Sequence, residues 1–339
     1  MERIVLAYSG SHDDSETISR LADEYGAEIV TLTLDVGQNQ ELEEVRDESL
    51  AAGAVRAHVL DARAEFAQEF VLPALQAGAL DDGREPITFP LAHALIGKKL
   101  VEMAAIEGAT AVAHRGGVCD CTRIENSVRA LNSSLRIFSL GAPAERVKTR
   151  TNLWGRAADY EAREVPSEAL YSWTKSPETA PEAGAGLELG FERGVPTTVN
   201  GVPLELSELI ESLSIIAGRH GVGRIGSPNE TGDKIRRLHE APAAVVLHAA
   251  HVALETATGV YGETPLKQHI RRVYPELIVR GSWFTPLRAA LDAFNAVIQS
   301  HVNGTVRLLL LKGTYTVGDV HVTDLESPML EFPLVVPQS

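Results

Sequence analysis

This chain of 339 residues is poor in cysteine, in basic relative to acidic residues, and in long apolar runs. Two cysteines, Cys119 and Cys121, cannot build a disulfide framework, and the expectation is a reduced, cytoplasmic protein. Acidic residues outnumber basic ones by 46 to 31, and the formal net charge of −15 argues against broad binding to nucleic acid or to an anionic membrane. A local basic pocket stays compatible with that charge. No apolar run approaches the roughly 18 residues of a membrane helix. No leader-like segment precedes the first strand, and no tandem repeat is present. What remains is 44 % hydrophobic and 23 % charged, the balance of a globular, enzyme-like chain long enough for two domains.

The most informative stretch is Val5-Leu6-Ala7-Tyr8-Ser9-Gly10-Ser11-His12-Asp13-Asp14-Ser15. The apolar run Ile4–Ala7 reads as a buried strand, Ser9-Gly10-Ser11 as a small-residue loop, and a helical pattern starts at Ser15. Loop amides and the first unpaired helix N–H groups then converge, and the helix dipole favours an anion there. Asp13 offers a hard oxygen ligand to a magnesium–phosphate complex. The plainer reading of the same residues is a strand-to-helix turn capped by Asp14 or Ser15.

The first 140 residues alternate strands and helices, which implies a doubly wound, mostly parallel α/β sheet. The spacing predicts strands at Arg3–Tyr8, Glu28–Leu34, Val55–Leu60, Ala111–His114 and Leu135–Ser139. It predicts helices over 15–25, Gln40–Ala52, Ala62–Gln76, Leu91–Gly108 and Arg123–Leu131, with a loop over 77–90. Ligands of such sheets bind at the carboxyl ends of the strands. Three segments fall there: Ser9–Ser15, Asp35–Gln38 and His114–Arg123. After residue 140 the pattern changes. Ala142–Arg156 reads as irregular and Ser176–Gly186 as a linker. Two short strands follow, with turns at Gly194 and Asn200-Gly201, then four helical stretches and a β-rich end, an α+β domain. The division expected is 1–150 and 151–339. His248 and His251, spaced i, i+3 among leucines, read as packing rather than as a metal site, and Trp154, Trp173 and Trp283 as anchors.

In order along nearly the whole chain, these landmarks resemble the argininosuccinate synthase family of the ATP-pyrophosphatase (PP-loop) superfamily. The loop around Ser9, Gly10, Asp13 and Ser15 is similar to that family's Ser-Gly-Gly-x-Asp-Thr-Ser. Asp35-Val36-Gly37-Gln38, Lys98-Lys99-Leu100-Val101-Glu102, Asn152-Leu153-Trp154-Gly155-Arg156, Ile216-Ala217-Gly218-Arg219-His220-Gly221-Val222-Gly223-Arg224 and Glu240-Ala241-Pro242 continue it. The resemblance implies a nucleotide-binding PP-loop domain, a synthetase/multimerisation domain, homo-oligomers (dimer or tetramer), and ATP with Mg²⁺ as cofactors. It implies that a carbonyl or ureido oxygen is adenylated and an amine, aspartate in the family, is then coupled, releasing AMP and pyrophosphate.

Carried over residue by residue, it places Ala7, Tyr8, Ser9, Gly10, Ser11, Asp13, Ser15, Leu34, Gly116 and Gly117 around the nucleotide, with Asp13 also as metal ligand. Asp13, Asp120 and Arg123 become the catalytic candidates. Glu85, Thr88, Asp120, Arg123, Lys148, Glu230 and His239 become the substrate candidates. The chain departs from the family at Ser11, His12 and Asp14. It carries Glu85-Pro86-Ile87-Thr88-Phe89-Pro90 where the family has Tyr-x-x-Gly-Thr-Ser, and Arg115–Arg123 is a shortened form of the family's glycine-rich run. A pocket built on hydrogen bonds discriminates sharply, so these changes imply a substrate other than citrulline. Two other readings stay open: a PP-loop sulfur transferase acting through Cys119 or Cys121, and a non-catalytic nucleotide-binding paralogue.

Overall fold

The computed structural model describes residues 2–10, 12–38, 42–81, 85–141, 149–161, 165–226, 235–259 and 265–323. Strand β1 (Arg3–Ala7) buries Ile4, Val5 and Leu6 in succession, as a strand covered on both faces requires. Helix α1 (His12–Tyr25), β2 (Glu28–Asp35), α2 (Leu42–Ala51) and β3 (Arg56–Asp61) follow. Then come α3 (Arg63–Glu65), a π-helical segment (Phe66–Val71) and α4 (Leu72–Gln76). Short strands β4 (Leu80–Asp81) and β5 (Glu85–Pro86) pair antiparallel, and α5 (Phe89–Glu107), β6 (Ala111–Gly116), α6 (Val118–Leu131) and β7 (Arg136–Gly141) complete this half.

The five long strands form one parallel sheet in the order β3-β2-β1-β6-β7. One face packs Ile18 and Leu21 of α1 and Val45 of α2 against Ile4, Leu6 and Ile29. The other packs Leu100 and Met103 of α5 and Ile124 and Val128 of α6 against Val5, Val30 and Val112. The winding is therefore double. Glu107 at the end of α5 is 5 % exposed, which is tolerable because Arg3 (3.2 Å), Arg56 (3.1 Å) and His58 (2.8 Å) meet its carboxylate. Burial raises its pKa, but the bonds from His58 and Arg56 outweigh burial and hold it below the usual range.

The second half opens with β8 (Thr149–Asn152) and β9 (Gly155–Glu161), then a 3₁₀ turn (Glu168–Leu170). Next are β10 (Ala185–Glu192), β11 (Val195–Val199), β12 (Val202–Pro203), α7 (Leu206–Arg219), β13 (Arg224–Gly226) and β14 (Ile235–Glu240). Helices α8 (Pro242–Ala257), α9 (Pro265–Val279) and α10 (Pro286–Gln299) precede β15 (Gly304–Leu311) and β16 (Thr314–Val322). Two antiparallel sheets result, β12-β11-β10-β15-β16 and β13-β14-β9-β8. Asn200 (φ 50°) and Gly201 (φ 77°) make the tight turn between β11 and β12 that an Asn-Gly pair favours. The largest apolar cluster crosses the chain's midpoint, joining Phe66, Phe70 and Leu95 to Trp154, Leu247 and Trp283. Phe70 and Trp283 stack there with ring centroids 5.2 Å apart. Among the described residues no helix is long and apolar enough to cross a membrane.

Several sequence-based boundaries move. Helix α1 starts at His12 rather than Ser15, and α6 starts at Val118 rather than Arg123, so Cys119 and Asp120 are helical. Residues 149–161, read in large part as irregular, form a β-hairpin instead, and β14 had no counterpart in the sequence reading. Both strand pairs are short, and the partners β9 and β14 are far apart in sequence, so no local pattern announces them.

Candidate active site

Strand order reverses between β1 and β6, so their carboxyl ends flank the crevice where an open α/β sheet takes its ligand. On one side β1 ends at Ala7 and α1 begins at His12, leaving a short connection that contains Tyr8, Ser9 and Gly10. Gly10 has φ 79°, a conformation that costs a side-chain-bearing residue and that glycine adopts freely. Tyr8 is 3 % exposed and locked: its backbone oxygen accepts from Thr33 Oγ1 (3.1 Å) and its hydroxyl shares a hydrogen bond with Ser15 Oγ (2.8 Å). On the other side β6 ends at Gly116, Gly117 caps α6, and a Cβ on Gly116 would lie 3.2 Å from Asp120 Cβ. Two helix N-termini thus rise from adjacent strand ends, and both favour an anion between them. Arg115 Nη1 reaches Thr17 Oγ1 on α1 at 3.3 Å, which places a cation beside the same crevice.

Asp120, in the first turn of α6, joins the crevice to the second half of the chain. Its Oδ1 accepts from Arg123 Nη1 (3.1 Å) and its Oδ2 from Arg150 Nη1 on β8 (3.2 Å). His93 Nδ1 of α5 stands 3.7 Å from Oδ1, too far for a hydrogen bond. Arg123 is fixed in turn by donating Nε to Val279 O at 2.7 Å, and Asn126 donates to Arg280 O at 2.9 Å, so the end of α9 clamps α6. Across the site, Arg237 of β14 holds Asp159 of β9 through Nε (2.6 Å) and Nη2 (3.3 Å). The Arg150 guanidinium lies over the Phe89 ring at 5.3 Å, and Phe89 meets the His239 ring at 6.5 Å. Burial, with Arg123 and Arg150 adding to it against Asp120, pushes His93 down to about 4. Burial, then Arg237 and Arg150, pushes His239 down to about 4. Both imidazoles are therefore neutral near pH 7. Burial, with Arg237 next, also lowers Arg150.

Family models match along nearly all of the chain: "Arginosuccinate synthase N-terminal HUP domain" over residues 3–161 and "Arginosuccinate synthase C-terminal domain" over residues 148–324. The chain belongs to the argininosuccinate synthase family. It is 41 % identical to the argininosuccinate synthase of Symbiobacterium thermophilum, covering 92 % of this chain and 86 % of that one. It is 39 % identical to that of Synechococcus elongatus, covering 93 % and 87 %. A third, from Bacillus thuringiensis, is 39 % identical, with 92 % and 85 % covered. The family is one of ATP-dependent, AMP-forming ligases.

In this argininosuccinate synthase relative the structure brings Ala7, Tyr8, Ser9, Gly10 and Ser15 to one strand end and Gly116, Gly117, Asp120 and Arg123 to the next. Leu34 lies on the neighbouring strand β2, and Asp13 in the first turn of α1. His239 joins the Asp120 group through Arg150 and Phe89. Thr88 is placed differently: it is 4 % exposed, directly before α5, with its methyl packed on Gly155. Glu85 belongs to β5. Ser11, Lys148 and Glu230 lie outside the described residues. The sequence reading missed His93, Arg150, Asp159 and Arg237. No local pattern marks them; in the structure Arg150 pairs with Ala157, Asp159 with Arg237, and Ala157 with His239, all at positions of one sheet face. A cavity of about 590 Å³ opens elsewhere, between Gly37, Leu153, Trp173 and α7, and contains none of these residues.

Cys121 is buried, donates Sγ–H to Gly116 O at 3.4 Å, and has its thiol pushed up by burial. That environment suits a structural thiol, not a nucleophile. Cys119 is exposed. Among the described residues no three His, Cys, Asp or Glu side chains are grouped to hold a metal ion.

Buried histidines also set an expectation for stability. His114 within β6 and His248 in α8 are 0 % and 6 % exposed, and burial, the main cause in each, pushes them from 6.5 to about 4 and about 3. Their folded pKa values lie below the unfolded ones. The stability they confer is thus complete above pH 6.5 and lost as the pH falls toward 4, where the unfolded chain binds protons the folded one refuses. Each contributes on the order of 3 kcal/mol. Urea unfolding in steps through that range is expected to show a fall of several kcal/mol, with a shallower slope in His248→Leu. A flat profile would contradict neutral burial.

Proposed function

We propose that the chain adenylates a carbonyl or ureido oxygen of a substrate other than citrulline and then couples an amine to the activated carbon. The observation that carries this reading is the crevice between β1 and β6, with an anion-favouring cradle facing Asp120 and Arg123. ATP lies with its phosphates over Ser9, Gly10 and Ser15 and the start of α1. Magnesium would accompany the phosphates and neutralise their charge, and Asp13 would serve as its protein ligand, since one or two carboxylates beside phosphate oxygens and water suffice. The substrate oxygen attacks the α-phosphorus and pyrophosphate leaves. The amine nitrogen, aspartate's in the simplest case, then attacks the carbon, loses a proton, and AMP departs with the substrate's oxygen. Positioning and charge neutralisation supply most of the rate, since transfer at phosphorus asks little covalent chemistry of a protein. Asp120 and Arg123 orient the substrate.

The relatives carry the plain name argininosuccinate synthase, so citrulline with aspartate is the reference pair in any assay. Support for a different substrate comes from the altered Glu85–Pro90 run, from Ala157 where the family has serine, and from the cationic group around Arg150. The same reading divides the chain at 1–150 and 151–339 and makes it a cytoplasmic homo-oligomer, which sedimentation would show.

Pyrophosphate release with ATP, aspartate and a panel of ureido and amide compounds tests the reading. The expected result is pyrophosphate with at least one compound, at a higher kcat/KM than with citrulline, and retained in at least one of Cys119→Ser and Cys121→Ser. Loss of activity in both variants, with the fold kept, would point to sulfur transfer. Bound but intact ATP in every mixture would point to a non-catalytic paralogue.

A further inference from the structure

Arg150 is the least satisfied cation of the site. Its Nε is buried without a partner, and among the described residues its one hydrogen bond goes to Asp120, which it shares with Arg123. The other carboxylate, Asp159, has both oxygens on Arg237. Three guanidinium groups therefore face two carboxylates, in a chain whose overall balance is −15. A partly buried guanidinium whose buried Nε lacks a partner costs stability, and an anion that supplies the missing acceptor offsets that cost. Phe89 covers one face of the guanidinium, which directs an incoming group to its edge, where a carboxylate or phosphate binds through two parallel bonds. His93 Nδ1 is also buried without a partner beside the same carboxylate, and a neutral imidazole can donate to an oxyanion.

We propose that the substrate presents an oxyanion, carboxylate or phosphate, to Arg150 in a subsite walled by Phe89, His93 and His239, in addition to the carbonyl it presents to ATP. The proposal rests on the ligase reading for which molecule brings the anion, but the subsite itself can be tested without turnover. Glutarate and inorganic phosphate, titrated calorimetrically into protein saturated with a non-hydrolysable ATP analogue, serve as the two probes. At least one is expected to bind the wild type. Arg150→Gln weakens that binding roughly ten- to a hundredfold. Arg150→Lys recovers part of it, and the ATP analogue binds all three proteins alike. Which probe binds identifies carboxylate or phosphate as the group. Failure of both probes on the wild type, equal binding to Arg150→Gln, or weakened binding of the ATP analogue in that variant overturns the proposal. Pyrophosphate release is scored separately. If no carbonyl compound releases it while Arg150-dependent anion binding persists, the ligase reading fails and the subsite stands.

Discussion

Glu240→Ala is expected to lower folding stability by roughly 3–5 kcal/mol, the largest loss from any single side chain considered. The Glu240 side chain is fully buried and its two oxygens are saturated. Oε2 accepts from Arg156 Nη1 (2.6 Å) and Ser172 N (3.1 Å), and Oε1 from Trp173 N (2.9 Å), Thr174 N (2.8 Å) and Thr174 Oγ1 (2.7 Å). Removing the carboxylate leaves the largely buried Arg156 guanidinium, the buried Thr174 N and the part-buried Ser172 N and Trp173 N without their acceptor, and each buried bond left unmade costs the desolvation of its group. Glu240 ends β14, Arg156 lies on β9, and β9 pairs with β8, so the loss also loosens the sheet that carries Arg150, Arg237 and His239. Urea unfolding followed by far-UV circular dichroism measures it. Glu240→Gln should be milder than alanine, since it keeps one acceptor oxygen. A loss below about 1 kcal/mol would mean that water replaces the carboxylate, against the burial observed.

The second large effect is on turnover. Asp120→Asn removes the negative charge that Arg123 and Arg150 share, without changing side-chain volume, and kcat/KM for whichever compound releases pyrophosphate is expected to fall roughly 10²–10³-fold. The loss arises from orientation: with the shared carboxylate gone, the two guanidinium groups repel and Arg150 swings away from Asp120. ATP affinity should hardly move, because Asp120 is engaged by Arg123 and Arg150, whereas Tyr8 of the cradle is held by Thr33 and Ser15. Steady-state kinetics with each substrate varied in turn separates the two. A rise in the KM for ATP matching the fall in turnover would place Asp120 with the nucleotide instead.

How much of this was legible depended on the range of the pattern. The parallel sheet and its helices follow from local periodicity, because each strand is a short apolar run bounded by turn residues and each helix has an apolar stripe. The nucleotide side of the site inherits that legibility, since Ser9, Gly10, Gly116 and Gly117 are placed by where β1 and β6 end. Helix starts were less certain. Gly10 turns the chain early, so α1 begins before the first residue of its apolar stripe, and α6 begins directly after Gly117, its extended N-cap. The substrate side was opaque. Arg150, Asp159, Arg237 and His239 come from three short strands, the last of them paired across a long sequence gap, and His93 sits within a helix whose periodicity reports only its apolar neighbours. Long-range pairing brings those charges together, and nothing within a window of a few residues encodes it.

Oxygen tracing tests the central claim most directly. A ureido or amide compound that supports pyrophosphate release is made with isotopically heavy oxygen in its carbonyl and turned over with ATP and aspartate, and the AMP is analysed by mass spectrometry. Attack of that oxygen on the α-phosphorus at the β1–β6 crevice predicts one heavy oxygen in each AMP formed. Unlabelled AMP, or ADP with phosphate in place of AMP with pyrophosphate, would contradict the account.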